Sequence, residues 1–125
     1  MKILYVEDHS SQRDIMKQML ELSGHDVAVA RNGEEGIRKT YEWRPDVILM
    51  DLRMHGMGGI EATRHLKNDP IVADIPIIVV SAWTSRDNRE EALRAGAAKF
   101  ITKPVQIEQF IEQINELAPT AQAHL

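Results

Sequence analysis

The sequence predicts an α/β protein built on a five-stranded parallel β-sheet, doubly wound, with helices on both faces. Three observations predict it: five short, mostly β-branched apolar runs recur along the 125 residues, segments with helical periodicity separate them, and the connections are short. Near-continuous apolar runs are typical of strands buried on both faces of a parallel sheet. Right-handed crossovers then distribute the helices over the two faces, and the usual order of five such strands is 2-1-3-4-5.

The predicted elements alternate from strand to helix along the whole chain. Charged residues, proline or glycine bound the predicted strands, which are residues 3–6, 27–30, 47–50, 77–80 and 99–102. Apolar residues recur with helical spacing in the predicted helices, which are residues 11–22, 34–43, 59–68, 85–95 and 107–117. We expect one domain over residues 1–118, followed by a short polar tail over residues 119–125.

Composition excludes several classes of protein. The chain has 19 acidic and 15 basic residues, and this surplus of acid argues against direct nucleic-acid binding. The absence of cysteine excludes disulfide scaffolds, cysteine-based zinc sites and thiol catalysis. No segment approaches the roughly 18 apolar residues of a membrane span, and the apolar run after Met1 and Lys2 is too short for a signal peptide. We therefore expect a cytoplasmic protein without a membrane partner.

Polar side chains follow four of the five predicted strands. They are Glu7, Asp8, Asp51, Ser81 and Lys103. In such sheets, ligands bind beyond the carboxyl ends of the strands, near the point where the winding reverses. Three carboxylates at one edge repel one another unless a cation compensates, and all-oxygen ligands favour Mg²⁺. A carboxylate nucleophile, a metal, a lysine and a hydroxyl are the minimum set for phosphoryl transfer onto an aspartate.

The order of these motifs resembles that of a known family. Glu7-Asp8, the segment 45–54 (Pro-Asp-Val-Ile-Leu-Met-Asp-Leu-Arg-Met), Ser81-Ala82, and Gly96-Ala97 leading to Lys103-Pro104 are similar to the receiver domain of two-component response regulators. The resemblance covers residues 1 to about 118 and implies a flavodoxin-like (βα)5 fold. Each motif alone is weak, and the specificity comes from their order and their placement at strand ends.

The resemblance implies a function and a ligand set. Asp51 would accept a phosphoryl group from the phosphohistidine of a sensor histidine kinase or a histidine phosphotransfer protein. Glu7, Asp8, Asp51 and the backbone carbonyl of Arg53 would hold Mg²⁺. The protein would not be an enzyme beyond its own phosphorylation and slow autodephosphorylation.

The resemblance also implies residues that bind phosphate and transmit its presence. Ser81 and Lys103 would bind the phosphoryl oxygens, and Ser81 together with Phe100 would form the conformational switch. Arg53 and Trp83 would tune how fast the phosphoryl group hydrolyses. The Lys103–Pro104 bond would be cis, making Pro104 a cis-proline. An output partner would bind the surface formed by the fourth helix, the fifth strand and the fifth helix.

Three departures from the family pattern modify these expectations. Residues 54–59 read Met-His-Gly-Met-Gly-Gly where Met-Pro-x-Met-Asp-Gly is common, so we expect a more mobile loop. Val105 stands where phenylalanine is usual. Lys99 replaces an aspartate that belongs to the dimer interface of DNA-binding regulators, so we expect a monomer or weak dimer. We also expect a stand-alone regulator, because no effector sequence is present; one domain of a larger regulator and the receiver of a hybrid kinase are the alternatives that stay open.

Other functions remain open on the same fold. An aspartate-based phosphatase would want a second aspartate two residues after Asp51, where Arg53 stands. A flavin or nucleotide carrier would want a glycine- or threonine-rich phosphate loop after the first strand, where Glu7-Asp8-His9 would repel phosphates. The main alternative is a degenerate receiver that binds proteins without being phosphorylated.

Overall fold

Strands and helices alternate along the chain in a computed structural model that describes residues 1–54, 56–82 and 86–117. The strands are β1 (Lys2–Val6), β2 (Asp26–Ala30), β3 (Val47–Asp51), β4 (Ile77–Ser81) and β5 (Lys99–Thr102). The helices are α1 (Ser10–Leu22), α2 (Gly33–Trp43), α3 (Gly59–Lys67), α4 (Arg86–Ala95) and α5 (Ile107–Leu117). The predicted tail over residues 119–125 lies outside the described residues.

The five strands form one parallel sheet in the order β2-β1-β3-β4-β5, which confirms the predicted fold. β3 and β4 lie in the interior of the sheet and are buried along their whole length. Burial on both faces explains why their sequences are continuously apolar. β2 lies at the edge and is only partly buried, which agrees with its weaker apolar pattern.

Alternate strand residues point to opposite faces of the sheet and form two cores. Side chains of β1, β3 and β4 pack with α1 and α5 in the first core, whose buried members include Ile3, Tyr5, Leu49, Ile78 and Phe110. Their neighbours along the strands pack with α3 in the second core, which includes Leu4, Ile48, Met50, Ala62 and Leu66. A smaller third cluster beneath α4 contains Leu52, Val79, Ala92, Ala97 and Phe100. The strands are therefore held from both sides, and their carboxyl ends are fixed at one edge.

One further feature was anticipated from the sequence. The Lys103–Pro104 peptide bond is cis, as the resemblance implies. No helix in the described part of the chain is long and apolar enough to cross a membrane.

Candidate functional site

The carboxyl edge of the sheet brings the predicted residues together. Glu7 follows β1, Asp51 and Ser81 end β3 and β4, and Lys103 follows β5. The parallel registers align these ends, since Asp51 pairs with Val80 and Ser81 with Thr102. A cavity of about 210 Å³ opens at this edge, and its lining residues are His9, Gln12, Asp51, Arg53, Ser81, Ala82 and Lys103.

Lys103 is the central cation of the site. Its Nζ donates hydrogen bonds to Glu7 Oε1 at 2.6 Å, to Gln12 Oε1 at 2.8 Å and to Asp51 Oδ2 at 3.2 Å. These three contacts match the three donors of an ammonium group. Although burial opposes protonation, the hydrogen bond to Glu7 and the charge of Asp51 raise the pKa of Lys103. One positive charge therefore faces two carboxylates that arrive from different strands.

Glu7 is a fully buried carboxylate. Its Oε1 accepts a hydrogen bond from the Tyr5 hydroxyl at 3.1 Å as well as the bond from Lys103, and its Oε2 accepts from the His9 backbone N–H at 3.4 Å. Burial favours the neutral acid, but the hydrogen bonds with Asp51 and Lys103 outweigh it and lower the pKa of Glu7. The structure therefore supports an ionised Glu7 whose lone pairs are already engaged.

Asp51 has the opposite protonation tendency. Burial raises the pKa of Asp51 to about 6, and the hydrogen bond and charge of Glu7 act in the same direction, while Lys103 opposes them. Its Oδ1 accepts a hydrogen bond from the Arg53 backbone N–H at 3.3 Å. Two adjacent carboxylates with a single lysine thus leave Asp51 poised to ionise near neutral pH. An added cation would favour the ionised form.

A side chain in the first turn of α1 binds the backbone of the neighbouring acids Glu7 and Asp8. The Arg13 guanidinium donates to the backbone carbonyl of Glu7 at 3.0 Å and to that of Asp8 at 3.3 Å. The Asp8 side chain is half-buried. This contact orients the segment between β1 and α1, which carries both acids.

Some of the predicted oxygen ligands of the site suit direct coordination of Mg²⁺, and Glu7 suits it less well. Within residues 1–54, 56–82 and 86–117, no three histidine or carboxylate side chains form a group that could hold a metal ion. Mg²⁺ commonly takes only one or two carboxylates and completes its shell with carbonyl, water and phosphate oxygens. Asp8, Asp51 and the carbonyl of Arg53 match that requirement. Glu7, which already bonds Lys103 and Tyr5, suits an indirect electrostatic contribution better.

The remaining predicted residues occupy different positions around the edge. Ser81 is buried and lines the cavity, and the exposed Arg53 lines it from the loop after β3. The Phe100 ring is buried, with the Arg89 guanidinium 5.8 Å from its centroid. Trp83 lies outside the described residues, so its predicted role stays a prediction.

Four contributors to the site were not anticipated from the sequence: Tyr5, Gln12, Arg13 and Gly59. Tyr5 precedes Glu7 by two residues, and strand periodicity alone would have placed both on one face. A Cβ atom on Gly59 would lie 2.0 Å from the Asp51 backbone carbonyl oxygen, so this position next to Asp51 requires glycine. The bonds made by Gln12 and Arg13 depend on how α1 packs, which no local pattern reveals.

Comparison with known proteins agrees with this geometry. Residues 3–115 match the family model of the response regulator receiver domain. The chain is 34% identical over 112 residues to the polar-differentiation response regulator DivK of Brucella anthropi (90% of this chain, 91% of DivK). It is 37% identical over 114 residues to the protein PilH of Pseudomonas aeruginosa (91% and 94%).

Solved structures show the same likeness. A CheY-like receiver domain protein from Methanospirillum hungatei superposes with a TM-score of 0.90 at 28% identity, covering 99% of this chain and 98% of that one. The receiver domain of a Pseudomonas aeruginosa sensor histidine kinase, with magnesium coordinated in its active-site cleft, has a TM-score of 0.88 at 28% identity, covering 94% and 97%. With its parallel sheet and the acids and lysine at the sheet's carboxyl edge, this chain belongs to the response regulator receiver domain family.

Proposed function

We propose that this receiver domain is a signalling switch in which Asp51 accepts a phosphoryl group from the phosphohistidine of a sensor histidine kinase or a histidine phosphotransfer protein. The observation that carries the proposal is the setting of Asp51. Its carboxylate opens onto the cavity lined by Ser81, and Lys103 Nζ lies 3.2 Å from its Oδ2. Receiver domains act in general as switches rather than as enzymes, which agrees with this assignment.

The transfer needs few groups beyond those present. A carboxylate oxygen of ionised Asp51 attacks phosphorus and forms the new P–O bond. The P–N bond to the donor imidazole breaks and the leaving nitrogen keeps the electron pair. The imidazole leaves as the neutral base because its second nitrogen already carries a proton. Lys103 moves its contact from the carboxylate to a phosphoryl oxygen, and the Ser81 hydroxyl donates to another.

Asp8, Asp51 and the carbonyl of Arg53 would hold Mg²⁺, and the buried Glu7 would contribute its negative charge without direct coordination. When bound, the metal supplies positive charge that favours ionised Asp51 and offsets the charge of the phosphoryl oxygens. The magnesium in the cleft of the Pseudomonas aeruginosa receiver domain supports this assignment.

Phosphorylation would reach a partner through Ser81 and Phe100. Movement of the Ser81 hydroxyl toward the phosphoryl group would free space beside β4 and β5, which the Phe100 ring would fill. Because Phe100 packs beneath α4, this change would alter the surface formed by α4, β5 and α5, which is our proposed output face. If a Phe100→Ala variant bound its output partner with the same phosphorylation dependence as wild type, this role would be excluded.

The phosphodonor is proposed to approach from the side of α1. A second cavity of about 500 Å³ opens beside Lys103. Apolar side chains of α1, of the segment before α5 and of the first residue of α5 dominate its lining: Ile15, Met16, Met19, Pro104, Val105 and Ile107. Ile15 is 58% exposed and lines this cavity, so its apolar side chain is available to a partner. An Ile15→Ser variant should slow transfer from a cognate histidine protein but not from acetyl phosphate, and equal rates with the histidine donor would exclude this docking side.

The surface at β5 and α5 bears on the oligomeric state. Lys99 of β5 forms an ion pair with Glu116 of α5 in the same chain, so its ammonium is engaged within the monomer. That contact is compatible with the expected monomer or weak dimer, which sedimentation of the phosphorylated protein would test. The surplus of acidic residues remains the reason to expect no direct nucleic-acid binding. A cytoplasmic location stays a prediction.

Intact-mass analysis tests the function directly. Wild-type protein incubated with acetyl phosphate and Mg²⁺ should gain the mass of one phosphoryl group, whereas Asp51→Asn should gain none. Omitting Mg²⁺ and adding EDTA should suppress the gain. If wild type gains no mass while a competent receiver domain does so in parallel, the alternative of a phosphorylation-independent protein-binding module would replace this proposal.

A further inference from the structure

The amino-terminal end of α2 lies directly against the loop that joins β3 to α3. Gly33 begins α2, and a Cβ atom placed on it would lie 2.7 Å from the backbone oxygen of Met57 and 2.9 Å from Met57 Cγ. Contacts this short are not tolerated by a real Cβ, so the approach of the two backbones depends on glycine. α2 therefore supports the loop at Met57.

The next residue of α2 adds a hydrogen bond at the same point. Glu34 Oε1 accepts from the Met57 backbone N–H at 2.9 Å. Gly56 has a φ of +77°, and a Cβ atom there would lie 3.3 Å from both carboxylate oxygens of Glu34. Two glycines thus let the Glu34 carboxylate and the backbone of residues 56–57 come together, and the bond is strengthened by the carboxylate charge.

The loop held in this way is the one that carries a proposed metal ligand. At its start, the Arg53 N–H bonds to Asp51 Oδ1 at 3.3 Å, and at its end the Gly59 N–H bonds to the Leu52 carbonyl at 3.1 Å. Gly58, the N-cap residue of α3, has no side chain with which to fix the turn. The bond from Glu34 to Met57 supplies an anchor between these points from a different element. It opposes the mobility that the glycine-rich sequence of the loop predicts.

We propose that Glu34 is a positioning residue for the phosphoacceptor site. By holding the Met57 N–H, its carboxylate fixes the loop after Asp51 and thereby the backbone carbonyl of Arg53, which the proposed function assigns to Mg²⁺. The inference rests on that proposed function. The competing explanation is that Glu34 merely places negative charge in the first turn of α2, as Glu35 also does.

Three variants separate these explanations. Glu34→Ala removes both the charge and the acceptor, whereas Glu34→Gln removes the charge but keeps a carbonyl oxygen that can accept the Met57 N–H. Glu42→Ala is a control for removing a carboxylate from α2 away from the loop, since Glu42 lies in the last turn and forms a surface ion pair with Arg38 at 3.7 Å. The charge in the first turn is tested by Glu34→Gln. Urea denaturation of each variant verifies that it is folded.

Two measurements report separately on the hydrogen bond between Glu34 and Met57 and on its effect on Mg²⁺ binding. Hydrogen exchange of the Met57 amide in metal-free protein should be about 5-fold faster in Glu34→Ala, the factor for losing one exposed charge-assisted bond. Calorimetric titration should show Mg²⁺ binding weakened about 3- to 10-fold in that variant, with the rate of phosphorylation by acetyl phosphate reduced in parallel. Glu34→Gln should recover most of both properties, and Glu42→Ala should match wild type.

Each other result contradicts the proposal in a recognisable way. Unchanged exchange at Met57 would mean that the bond does not protect the loop. Faster exchange with unchanged Mg²⁺ affinity would mean that the loop is held but does not position the site. Equal behaviour of Glu34→Gln and Glu34→Ala would leave only the charge effect at the helix terminus. If wild type itself neither binds Mg²⁺ nor is phosphorylated, the proposed function fails together with this inference, although the metal-free exchange data still report on the bond.

Discussion

Two sets of ion pairs in this protein have similar distances but different surroundings. At the carboxyl edge of the sheet, Lys103 lies 2.6 Å from Glu7 and 3.2 Å from Asp51, and these side chains are 18%, 0% and 8% exposed, respectively. Three pairs of residues four apart on the protein surface span 3.1 to 3.7 Å, and most of their side chains are largely exposed: Arg31–Glu35, Arg38–Glu42 and Arg86–Glu90.

The difference teaches that distance alone does not give the energy of an ion pair. Water screens the exposed pairs, so each contributes little beyond a few tenths of a kcal/mol. Burying Lys103, Glu7 and Asp51 costs desolvation free energy, which the contacts among the three side chains must offset. Removing one of them therefore leaves a buried charge without its partner. The same cost means that an added cation would stabilise the buried carboxylates.

The largest effect is expected from Lys103→Met, which would leave both carboxylates without their countercharge. We expect a loss of about 3 kcal/mol in the free energy of unfolding at pH 7, measured in urea with EDTA present. Lowering the pH to 5 should shrink the deficit, because the carboxylates can then take up protons. A deficit that stays the same at both pH values would contradict this explanation.

The next effect concerns Asp51→Asn in metal-free protein. Because the pKa of Asp51 is about 6 in the folded chain and 3.8 in a model peptide, its ionisation opposes folding. The stability associated with the protonated acid is fully present below about pH 4 and is lost as the pH rises through about 6. The variant should therefore be more stable than wild type by about 1–2 kcal/mol at pH 8, discounted for screening, with the gap closing toward pH 4.

Urea denaturation of both proteins in EDTA at pH 4, 6 and 8 would measure this difference. An asparagine variant that is less stable than wild type at pH 8 would show that the attraction between Asp51 and Lys103 outweighs the burial of the acid.

A smaller effect is expected from Tyr5→Phe, which removes the hydroxyl that donates to Glu7 at 3.1 Å. Glu7 keeps its bond to Lys103, so we expect a loss of about 1 kcal/mol in unfolding free energy, measured by urea denaturation. Tyr41→Phe is the control, since the hydroxyl of Tyr41 bonds to Asp69 away from the site. Mg²⁺ affinity should change in Tyr5→Phe and not in Tyr41→Phe, and equal affinities in both would remove Tyr5 from the site.

The smallest effect is expected where the ion pair is exposed. A double-mutant cycle over Arg38 and Glu42, each changed to alanine, should give a coupling of about 0.3 kcal/mol at low salt. Added salt at 1 M should abolish most of it. A coupling close to the loss of about 3 kcal/mol expected for Lys103→Met would contradict the distinction between exposed and buried ion pairs.

Much of the fold and of the candidate site could be predicted from the sequence. Continuous apolar runs such as 47–50 and 77–80 predict strands buried on both faces, and the parallel topology then follows from general rules. Because parallel strands end at one edge, Glu7, Asp51, Ser81 and Lys103 were expected to meet there. The structure places them together, although Glu7 and Lys103 are 96 residues apart.

By itself the sequence determined the order of the elements and the residues at the carboxyl ends of the strands, because local periodicity specifies these, whereas the strand order rested on the usual order of such sheets and on the family resemblance. Only the tertiary structure decided which lone pairs of Glu7 are already engaged, why the pKa of Asp51 rises, and that Glu34 holds the loop at Met57. Those properties depend on contacts of about 3 Å between groups that are far apart in the sequence, and a change of a few tenths of an ångström alters them. Such distances are set by how the helices pack on the sheet, which no pattern within one segment encodes.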